Sequence, residues 1–275
     1  MTDILVLHPG AMGSSLAACL RSNGHKVSWV AQNRSSVTRE RAEAEGLHAY
    51  ATLEKGLAAA EVVISICPPE FAVATAQTVV EHAFQGVYVD ANATSPMTAT
   101  RIADLVGDRY VDGSVIGPPA RQSGSTRTYL SGPQATAICE LFAGTFATPK
   151  NLGTARDAAS ALKMCYAAYT KGTTALLLNI RALAEANQIE DALLAEWVIS
   201  QPELQTRSDR AGPGVSGKAW RFAAEMREIA DTFGASGLPG DFHEGAALVY
   251  ERLAAFKDKP PATTSELVAT LLAER

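Results

Sequence analysis

Two glycines, Gly10 and Gly13, follow a short apolar run near the start of the chain, in the sequence ILVLHPGAMGSSLAACL. The apolar run predicts a strand, and the segment after the second glycine predicts a helix. A strand that turns tightly into a helix points the unpaired N–H groups of the helix N-terminus at an anion, which is the geometry of dinucleotide binding. We expect Gly10 to let the backbone approach a pyrophosphate and Gly13 to let the helix pack closely on the strand.

The usual three-glycine form of this turn, GxGxxG, is incomplete because His8 stands at the first glycine position and Pro9 follows it. Without the first glycine, we expect the turn to form with negative φ at both residues. Two-glycine turns also join strands and helices that bind nothing, so the interpretation depends on the place of this turn, after the first strand of an alternating chain. The predicted cofactor contacts here are His8, Pro9, Gly10, Ala11 and Met12.

The second predicted strand ends in the sequence AQNRSS, where the ribose of a dinucleotide would lie. An NAD site usually places an acid there, about 20 residues after the glycine turn, and this chain has none. Arg34 could hold a 2′-phosphate, and Ser35 adds a donor at the start of the next helix. We therefore predict NADP(H), with Arg34, Ser35 and Arg39 near the ribose. Alternatively, these arginines belong to a solvated helix surface paired with nearby glutamates.

Two later strands end in sequences that suit a ligand-binding edge, ISICPPEFA and VDANATSP. Prolines stop the first of these strands, and small polar groups follow the second. Open α/β sheets bind ligands at the carboxyl ends of their strands. We expect Cys67, Pro68, Pro69 and Asn92 to contact the cofactor, whereas Asp90 could equally be a helix or turn cap.

The elements that would position these residues alternate regularly through the first half of the chain. Runs rich in Val and Ile predict strands at 4–8, 26–31, 62–66, 86–90, 110–116 and 127–131, and helices are predicted at 13–23, 35–45, 70–82 and 96–106. This alternation is typical of a parallel sheet.

The second half of the chain is predicted to be helical. It begins with one long helix at 154–187 that would span roughly 50 Å. Further helices are predicted at 190–199, 217–233 and 241–256, with a loop at 211–217. The predicted fold class is α/β: a Rossmann-like, doubly wound, mostly parallel sheet in residues 1–152, followed by an all-α domain in residues 153–275. The long helix would join the two domains.

Composition excludes several classes of protein. With 47% hydrophobic and 19% charged residues, the 275-residue chain can bury a core. A net charge of -5 without a basic block argues against a nucleic acid partner, and the lack of a long apolar run or basic leader argues against a membrane or secretion. Four cysteines without CxxC spacing indicate no metal site and a reducing, cytoplasmic location.

The motifs HPGAMG, NRS, CPPEFA, DANATSP and DGSVIGPPA, followed by a helix bearing Lys163, occur in this order over nearly the whole chain. Together they resemble the β-hydroxyacid dehydrogenase and 6-phosphogluconate dehydrogenase-like superfamily, with a DUF1932-type helical domain at the C-terminus. In that family the general acid or base is the lysine of a K-x-x-N-N motif. The resemblance implies that Lys163, at the position of this lysine, has the same role. It also implies that Asn33, with the Arg and Ser after it, marks NADP preference.

The family's substrate loop corresponds to residues 112–120, where Pro118 and Pro119 replace more usual glycines. Prolines stiffen a loop and remove backbone donors, so a substrate different from the family's usual one is expected. Tyr166 and Ala167 stand where the family has asparagines. The predicted substrate contacts are Ser114, Gly117, Pro118, Tyr166 and Thr170.

These features predict an NADPH-dependent oxidoreductase that transfers hydride between the nicotinamide and a small carbonyl or hydroxy compound. Two alternatives stay open: an imine reductase, and a catalytically silent NADP-binding sensor. Because relatives dimerise through the helical domain and residues 173–183 are apolar, a homodimer through that domain is expected. For His243, a surface position is favoured over a cleft.

Overall fold

The computed structural model describes residues 1–273, which divide into two compact units, Met1–Lys163 and the chain from Met164 on. The division falls inside one long helix. The predicted boundary between residues 152 and 153 lies eleven residues earlier and stays a prediction.

The first unit is built on a single eight-stranded sheet with the spatial order β3-β2-β1-β4-β5-β6-β7-β8. All neighbouring strands are parallel except β6 and β7, which are antiparallel. The strands are β1 Asp3–Val6, β2 Lys26–Val30, β3 His48–Tyr50, β4 Val62–Ser65, β5 Val87–Asp90, β6 Tyr110–Ile116, β7 Thr126–Ser131 and β8 Ala147–Asn151.

Six helices join these strands: α1 Ala11–Ser22, α2 Ser36–Ala44, α3 Leu53–Ala59, α4 Ala72–Glu81, α5 Pro96–Val106 and α6 Ala135–Leu141. The alternation of strand side chains gives the sheet two separate cores, one on each face. Ile4 and Val6 pack with Trp29 in one core, whereas Leu5 and Leu7 belong to the other. The predicted fold class, a doubly wound and mostly parallel sheet followed by helices, is confirmed.

The long helix α7, Ala158–Ala186, begins in the first unit and continues into the second. The second unit is helical throughout its described residues, with α8 Glu190–Ser200, α9 Leu204–Val215, α10 Ala219–Ala235, α11 Asp241–Arg252 and α12 Thr264–Ala273. Its core includes Leu178, Met226 and Tyr250. None of the helices within residues 1–273 is long and apolar enough to cross a membrane.

The six predicted strands are present, but β3, β8, α3, α6 and α9 were missed. β3 has only three residues and α3 and α6 have seven each, which is too short for a clear periodic pattern. β8 contains Pro149 and has exposed residues at its end, so it lacks the apolar signal of a buried strand.

The predicted loop at 211–217 is wrong, because α9 continues through Pro213 to Val215. A proline inside a helix leaves the carbonyl four residues earlier without its donor. Here the Thr264 hydroxyl donates to that carbonyl, of Asp209, at 3.0 Å. Gly212 lies so close to the Thr264 backbone that a Cβ would overlap it. Tertiary contacts with the chain around Thr264 therefore keep this turn helical.

The close packing expected at Gly13 is present. A Cβ at this position would overlap the carbonyl oxygen of His8 and approach the Ile66 side chain to 2.8 Å. Any larger residue would push α1 away from the ends of β1 and β4, so Gly13 determines where the N-terminus of α1 lies.

Candidate functional site

The glycine turn presents an open N-terminus of α1 at the carboxyl end of β1. His8, Pro9 and Gly10 all have negative φ, as expected for a turn without the first glycine. Gly10 precedes the helix with its N–H donating to the His8 carbonyl at 2.8 Å, and no side chain caps the helix. A Cβ at Gly10 would meet no atom within 4 Å, so a ligand has room to approach this backbone.

The remaining residues of the turn differ in exposure. Pro9 is buried and Ala11 is exposed, while Met12 packs partly against the core of the first unit. Ala11 and Met12 are the first two residues of α1, where backbone N–H groups lack partners within the helix. These N–H groups are the ones the sequence assigned to an anion.

His8 is held neutral by its surroundings. Burial, together with the charge of Arg34, lowers the pKa of His8 to about 4. Its Nδ1 atom is buried without a hydrogen-bond partner among the described residues, as is Nε of Arg34. Two polar atoms on neighbouring strand ends are thus available to a bound group.

Arg34 lies at the end of β2, where the sequence places the ribose. It lines a cavity of about 290 Å³ with His8, Gln32 and Asn33. Asn33 has a φ of 58°, a left-handed conformation that asparagine tolerates better than most residues. This turn brings Asn33 and Arg34 beside His8.

Ser35 and Arg39 lie at the start of α2, and neither lines the cavity around Arg34. The Ser35 hydroxyl caps α2 by accepting from the Thr38 N–H at 3.3 Å. Arg39 donates to the Ala31 carbonyl at 3.5 Å and lies 6.0 Å from the centre of the Trp29 ring, and it does not line the cavity around Arg34. Ser35 therefore shapes the start of α2, and Arg39 stays at its surface.

A second cavity, of about 470 Å³, brings together the ends of three strands. His8 after β1, Arg34 after β2, and Cys67 and Pro68 after β4 all line it. Pro69 begins the helical turn Pro69–Phe71 that leads into α4. Most of the predicted cofactor residues therefore converge on one edge of the sheet.

Helix α4 and the residue before it form a further wall of this cavity, which was not predicted from the sequence. Phe71, Ala74, Thr75 and Thr78 line it at helical spacing. The same spacing, read from the CPP motif onward, would have identified them, since residues three, four and seven apart share a helix face. The Thr75 hydroxyl lies 3.8 Å from the Cys67 sulfur. Burial raises the pKa of Cys67 to about 11, so this thiol stays protonated.

Asn92 is buried beneath the CPP turn. Its Oδ1 accepts from the Cys67 N–H at 2.5 Å, and its Nδ2 donates to Ser65 at 3.3 Å and to Asp90. This amide thus ties the end of β4 to the end of β5. It supports the turn that carries Cys67 and Pro68.

Asp90 and Asp112 face each other in register on β5 and β6, and both are buried. Burial, together with the charge of Asp112, raises the pKa of Asp90 to about 8. Burial raises the pKa of Asp112 to about 6, a shift limited by hydrogen bonds from Ser160 and Ser131. Asp90 ends β5 two residues before Asn92, and Asp112 is the first residue of the predicted substrate segment 112–120.

Of the predicted substrate loop, residues 112–116 are part of strand β6, and only residues 117–120 lie in the loop that joins β6 to β7. Gly117 has a φ of 126°, and a Cβ there would overlap the Ser125 carbonyl, so only glycine fits. Pro118 is exposed, and its carbonyl accepts from the Thr126 hydroxyl at 2.6 Å. The Ala120 N–H donates to Ser15 of α1 at 3.0 Å, which places the end of this loop beside the helix of the glycine turn.

Ser114 lies on β6 just before this loop. It is fully buried, and its hydroxyl has no partner among the described residues. Lys163, in the second turn of α7, donates from Nζ to the Val115 carbonyl at 2.7 Å. The amine predicted to be catalytic is thus held next to the strand that carries the predicted substrate loop.

Tyr166 and Thr170 follow Lys163 along α7 but belong to the second unit. Tyr166 is exposed, and the Thr170 hydroxyl donates to its carbonyl at 3.2 Å. Ala167 is packed in the helical core. The Thr170 hydroxyl is therefore used within the helix, whereas the Tyr166 ring is accessible within its unit.

His243 is buried among Gly172 and the rings of Phe233 and Phe242, so the favoured surface position is wrong. Burial lowers its pKa. The helical pattern around His243 could not show which face packs on α7. Gly172 is what permits the approach, since a Cβ there would lie 3.1 Å from the Phe242 ring.

Two family models match the chain. The NAD binding domain of 6-phosphogluconate dehydrogenase matches residues 4–137, and a domain of unknown function, DUF1932, matches residues 184–253. By this match, the first unit belongs to the 6-phosphogluconate dehydrogenase-like superfamily of NAD-binding domains. The resemblance read from the motifs is confirmed, and the fold is that of the hydroxyacid dehydrogenases.

Individual relatives agree with this family. An uncharacterized 28.5 kDa protein of Methanothermus fervidus is 29% identical over 171 residues, a match that covers 62% of this chain and 66% of that protein. A conserved protein of unknown function, described as structurally similar to 3-hydroxyacid dehydrogenases, is 26% identical with a TM-score of 0.68, over 92% of this chain and 97% of that one.

More distant structures share the fold. 3-Hydroxyisobutyrate dehydrogenase of Mycobacterium tuberculosis is 20% identical with a TM-score of 0.72, over 98% of this chain and 99% of that one. A reductive aminase of Aspergillus terreus, in complex with NADPH and ethyl levulinate, is 18% identical with a TM-score of 0.57 over the full length of both chains.

Membership of this superfamily supports a nicotinamide cofactor, and the first unit fits one. The uncapped N-terminus of α1 and the open space at Gly10 suit a pyrophosphate. His8 and Arg34, each with a buried nitrogen that has no partner among the described residues, line the adjoining cavities at the strand ends. Within residues 1–273, no cluster of three or more His, Cys, Asp or Glu side chains could hold a metal ion.

The raised pKa of Asp90 predicts a pH-dependent stability that the Asp90→Asn variant should lack. Folded Asp90 keeps its proton up to about pH 8, whereas in the unfolded chain it ionises near 3.8, so its stabilising contribution is lost as pH rises through this window. From about pH 5 to about pH 8, the free energy of unfolding of Asp90→Asn should increase relative to wild type by up to about 1.4 kcal/mol per pH unit.

Urea unfolding at several pH values measures this difference. The exposed Asp104 provides a matched control, and Asp104→Asn should follow the wild-type pH dependence. Parallel curves for wild type and Asp90→Asn would contradict the burial of an ionisable carboxyl at this site.

Proposed function

We propose that this protein is an NADP(H)-dependent oxidoreductase that transfers hydride between the nicotinamide and a small carbonyl or hydroxy compound, with Lys163 as general acid or base. The observation that carries the proposal is the position of Lys163 Nζ, 2.7 Å from the Val115 carbonyl and thus beside the loop that begins at Gly117. This loop lies at the carboxyl edge of the sheet, where open α/β sheets bind ligands.

When bound, the nicotinamide supplies or accepts the hydride. The chain must then supply or accept a proton at the substrate oxygen, and a lysine ammonium can do so. The Val115 carbonyl orients Lys163, and the glycine turn at Gly10 leaves space for the cofactor backbone. Lys163 would give a proton to a carbonyl oxygen during reduction and take one from a hydroxyl during oxidation.

NADP(H) is preferred over NAD(H) because of the end of β2. Arg34 lines the cavity there with Asn33, and residues 31–36 contain no acid that could accept from a ribose 2′-hydroxyl. A guanidinium binds a 2′-phosphate through charge-assisted hydrogen bonds. The N–H groups that begin α2 after Ser35 add to the same positive environment.

The substrate should differ from those of typical hydroxyacid dehydrogenases. Pro118 and Pro119 have no N–H to donate to a carboxylate. The Pro118 carbonyl is already bonded to Thr126, and Ala167 occupies a core position where an asparagine amide would be expected. We propose a small carbonyl compound that, within the first unit, is held less by backbone donors and more by Ser114.

The role of Lys163 is tested with Lys163→Ala and a panel of ketoacids, semialdehydes and cyclic imines in the presence of NADPH. Loss of the proton donor should lower the rate of carbonyl reduction by about 10²- to 10⁴-fold, with NADPH binding unchanged. Loss of the reduced-nicotinamide absorbance measures turnover. Lys150→Ala, which removes an exposed lysine of the same unit, is the control.

Two results would contradict this role and each favours one alternative. Turnover of imines alone, unaffected by Lys163→Ala, would indicate an imine reductase. Tight NADPH binding without turnover of any compound would indicate a catalytically silent sensor.

The cofactor preference is tested with Arg34→Ala. Because charge-assisted hydrogen bonds contribute about 1.5–3 kcal/mol, the Kd for NADPH should rise about ten- to hundredfold while the Kd for NADH changes little. Titration of nicotinamide fluorescence measures both constants, and Arg41→Ala, on α2, serves as the control. An equal loss of affinity for both cofactors would refute recognition of the 2′-phosphate.

We also propose a homodimer through the helical unit. One face of α7 carries apolar and small side chains at alternating spacings of three and four residues, and several are exposed, Leu183 by 65%. This face comprises Tyr166, Tyr169, Thr173, Leu176, Ile180 and Leu183.

All four cysteines are unpaired, which supports the proposed cytoplasmic location.

A charge on this face should prevent the dimer from forming. We expect Leu183→Glu to sediment as a folded monomer, because the buried carboxylate would be unpaired in the interface, while Leu105→Glu in α5 leaves the dimer intact. Sedimentation velocity distinguishes the two. A wild-type monomer, or a dimer that tolerates Leu183→Glu, would overturn the proposed interface.

A further inference from the structure

Strand β6 holds helix α7 at two points. Asp112 of β6 accepts hydrogen bonds from Ser160 of α7. Three residues further along each element, the Val115 carbonyl accepts from Lys163 Nζ. The first contact is a buried carboxylate at the beginning of the helix, and the second is the proposed catalytic amine.

Asp112 lies outside α7 and accepts hydrogen bonds from the first turn of that helix. Its Oδ2 accepts from the Ser160 N–H at 2.8 Å and from the Ser131 hydroxyl at 3.2 Å, while its Oδ1 accepts from the Ser160 hydroxyl at 2.7 Å. Ser131 in turn accepts from the Ala159 N–H at 3.0 Å. Two N–H groups that the helix cannot satisfy internally are thus bound by β6 and β7.

This arrangement replaces a local helix cap. The first intrahelical hydrogen bond runs from the Ala161 N–H to the Asp157 carbonyl, so the N–H groups of Ala159 and Ser160 are those that a local cap would bind. Instead, the Ser131 hydroxyl binds the first and the Asp112 carboxylate binds the second, and the negative charge of Asp112 suits the positive end of the helix dipole. The start of α7 is therefore fixed to the sheet rather than to its own preceding residues.

We propose that Asp112 is a positioning residue for Lys163. By binding the first turn of α7 to β6, it sets the point from which the Lys163 side chain reaches the Val115 carbonyl, one helical turn later. Ser131 and Ser160 are the partners through which it acts. This inference rests on the proposed function, in which Lys163 exchanges a proton with the substrate.

The conservative variant Asp112→Asn separates geometry from charge. Its Oδ1 can accept from the Ser160 and Ser131 donors, and its Nδ2 can donate to the Ser160 hydroxyl, which accepts as well as donates. Asp112→Ala removes every one of these bonds. If Asp112 positions Lys163, the Lys163 reactivity and the turnover that change in Asp112→Ala should stay near wild type in Asp112→Asn.

The direct readout is the reactivity of the Lys163 amine in the full-length protein. Trace labelling with acetic anhydride at about pH 8, followed by peptide mass spectrometry, compares Lys163 with Lys171, which is paired with Glu225 in the second unit. In Asp112→Ala, labelling of Lys163 should rise severalfold while Lys171 is unchanged, and in Asp112→Asn both should stay near wild type.

Turnover gives the second readout. A displaced proton donor should lower kcat about ten- to hundredfold in Asp112→Ala, with little change in KM, and Asp112→Asn should recover most of it. If Asp112→Ala does not fold, the double variant Ser131→Ala/Ser160→Ala removes both hydroxyl partners and keeps the carboxyl. It should show the same changes in labelling and kcat to a smaller degree.

The outcomes distinguish this inference from the proposed function. If Lys163→Ala retains full activity but Asp112→Ala still alters Lys163 labelling, Asp112 positions Lys163 and the proposed chemistry is wrong. If Lys163→Ala abolishes turnover but folded Asp112→Ala keeps wild-type labelling and kcat, the positioning role is overturned. Equal loss in the Asn and Ala variants would also overturn it, because geometry alone would then not suffice.

Discussion

Two buried carboxyl groups, Asp90 and Asp112, organise the functional edge of the sheet. A carboxyl group removed from water is costly unless donors surround it. Asp90 accepts from Asn92, whose amide also binds the turn that carries Cys67. Asp112 binds the start of α7. The hydrogen bonds of these two groups therefore tie the predicted cofactor turn on one side, and the helix of Lys163 on the other, to adjacent strands, while Oδ2 of Asp90 has no partner among the described residues.

At the same edge of the sheet, the turn after β1 forms with two glycines instead of the usual three. His8 replaces the first glycine and stays neutral, because burial and the neighbouring Arg34 lower its pKa. A neutral imidazole adds no charge that would compete with Arg34 for an anion. Gly10 leaves open space and Gly13 brings α1 close to the strands, so a side chain at the first would occupy that space and a side chain at the second would break the packing.

Most of the first unit could be predicted from local pattern. Buried parallel strands are continuous apolar runs, so their ends, and the residues His8, Arg34 and Cys67 that follow them, were located from the sequence. The short elements were missed because three to seven residues cannot show a period. The wall formed by Thr75 and Thr78 was missed because helical spacing identifies a face without saying what it packs against.

The sequence by itself determined the family resemblance, six of the eight strands, the strand ends that form the candidate site and the place of Lys163 on a long helix, since these depend on local periodicity and short motifs. Tertiary structure alone decided that α9 continues through Pro213, that His243 is buried and that Asp112 binds the start of α7. The physical reason is the same in each case. The partner that satisfies a carbonyl, covers a ring or binds a carboxylate comes from a segment distant in the chain, and no local pattern records it.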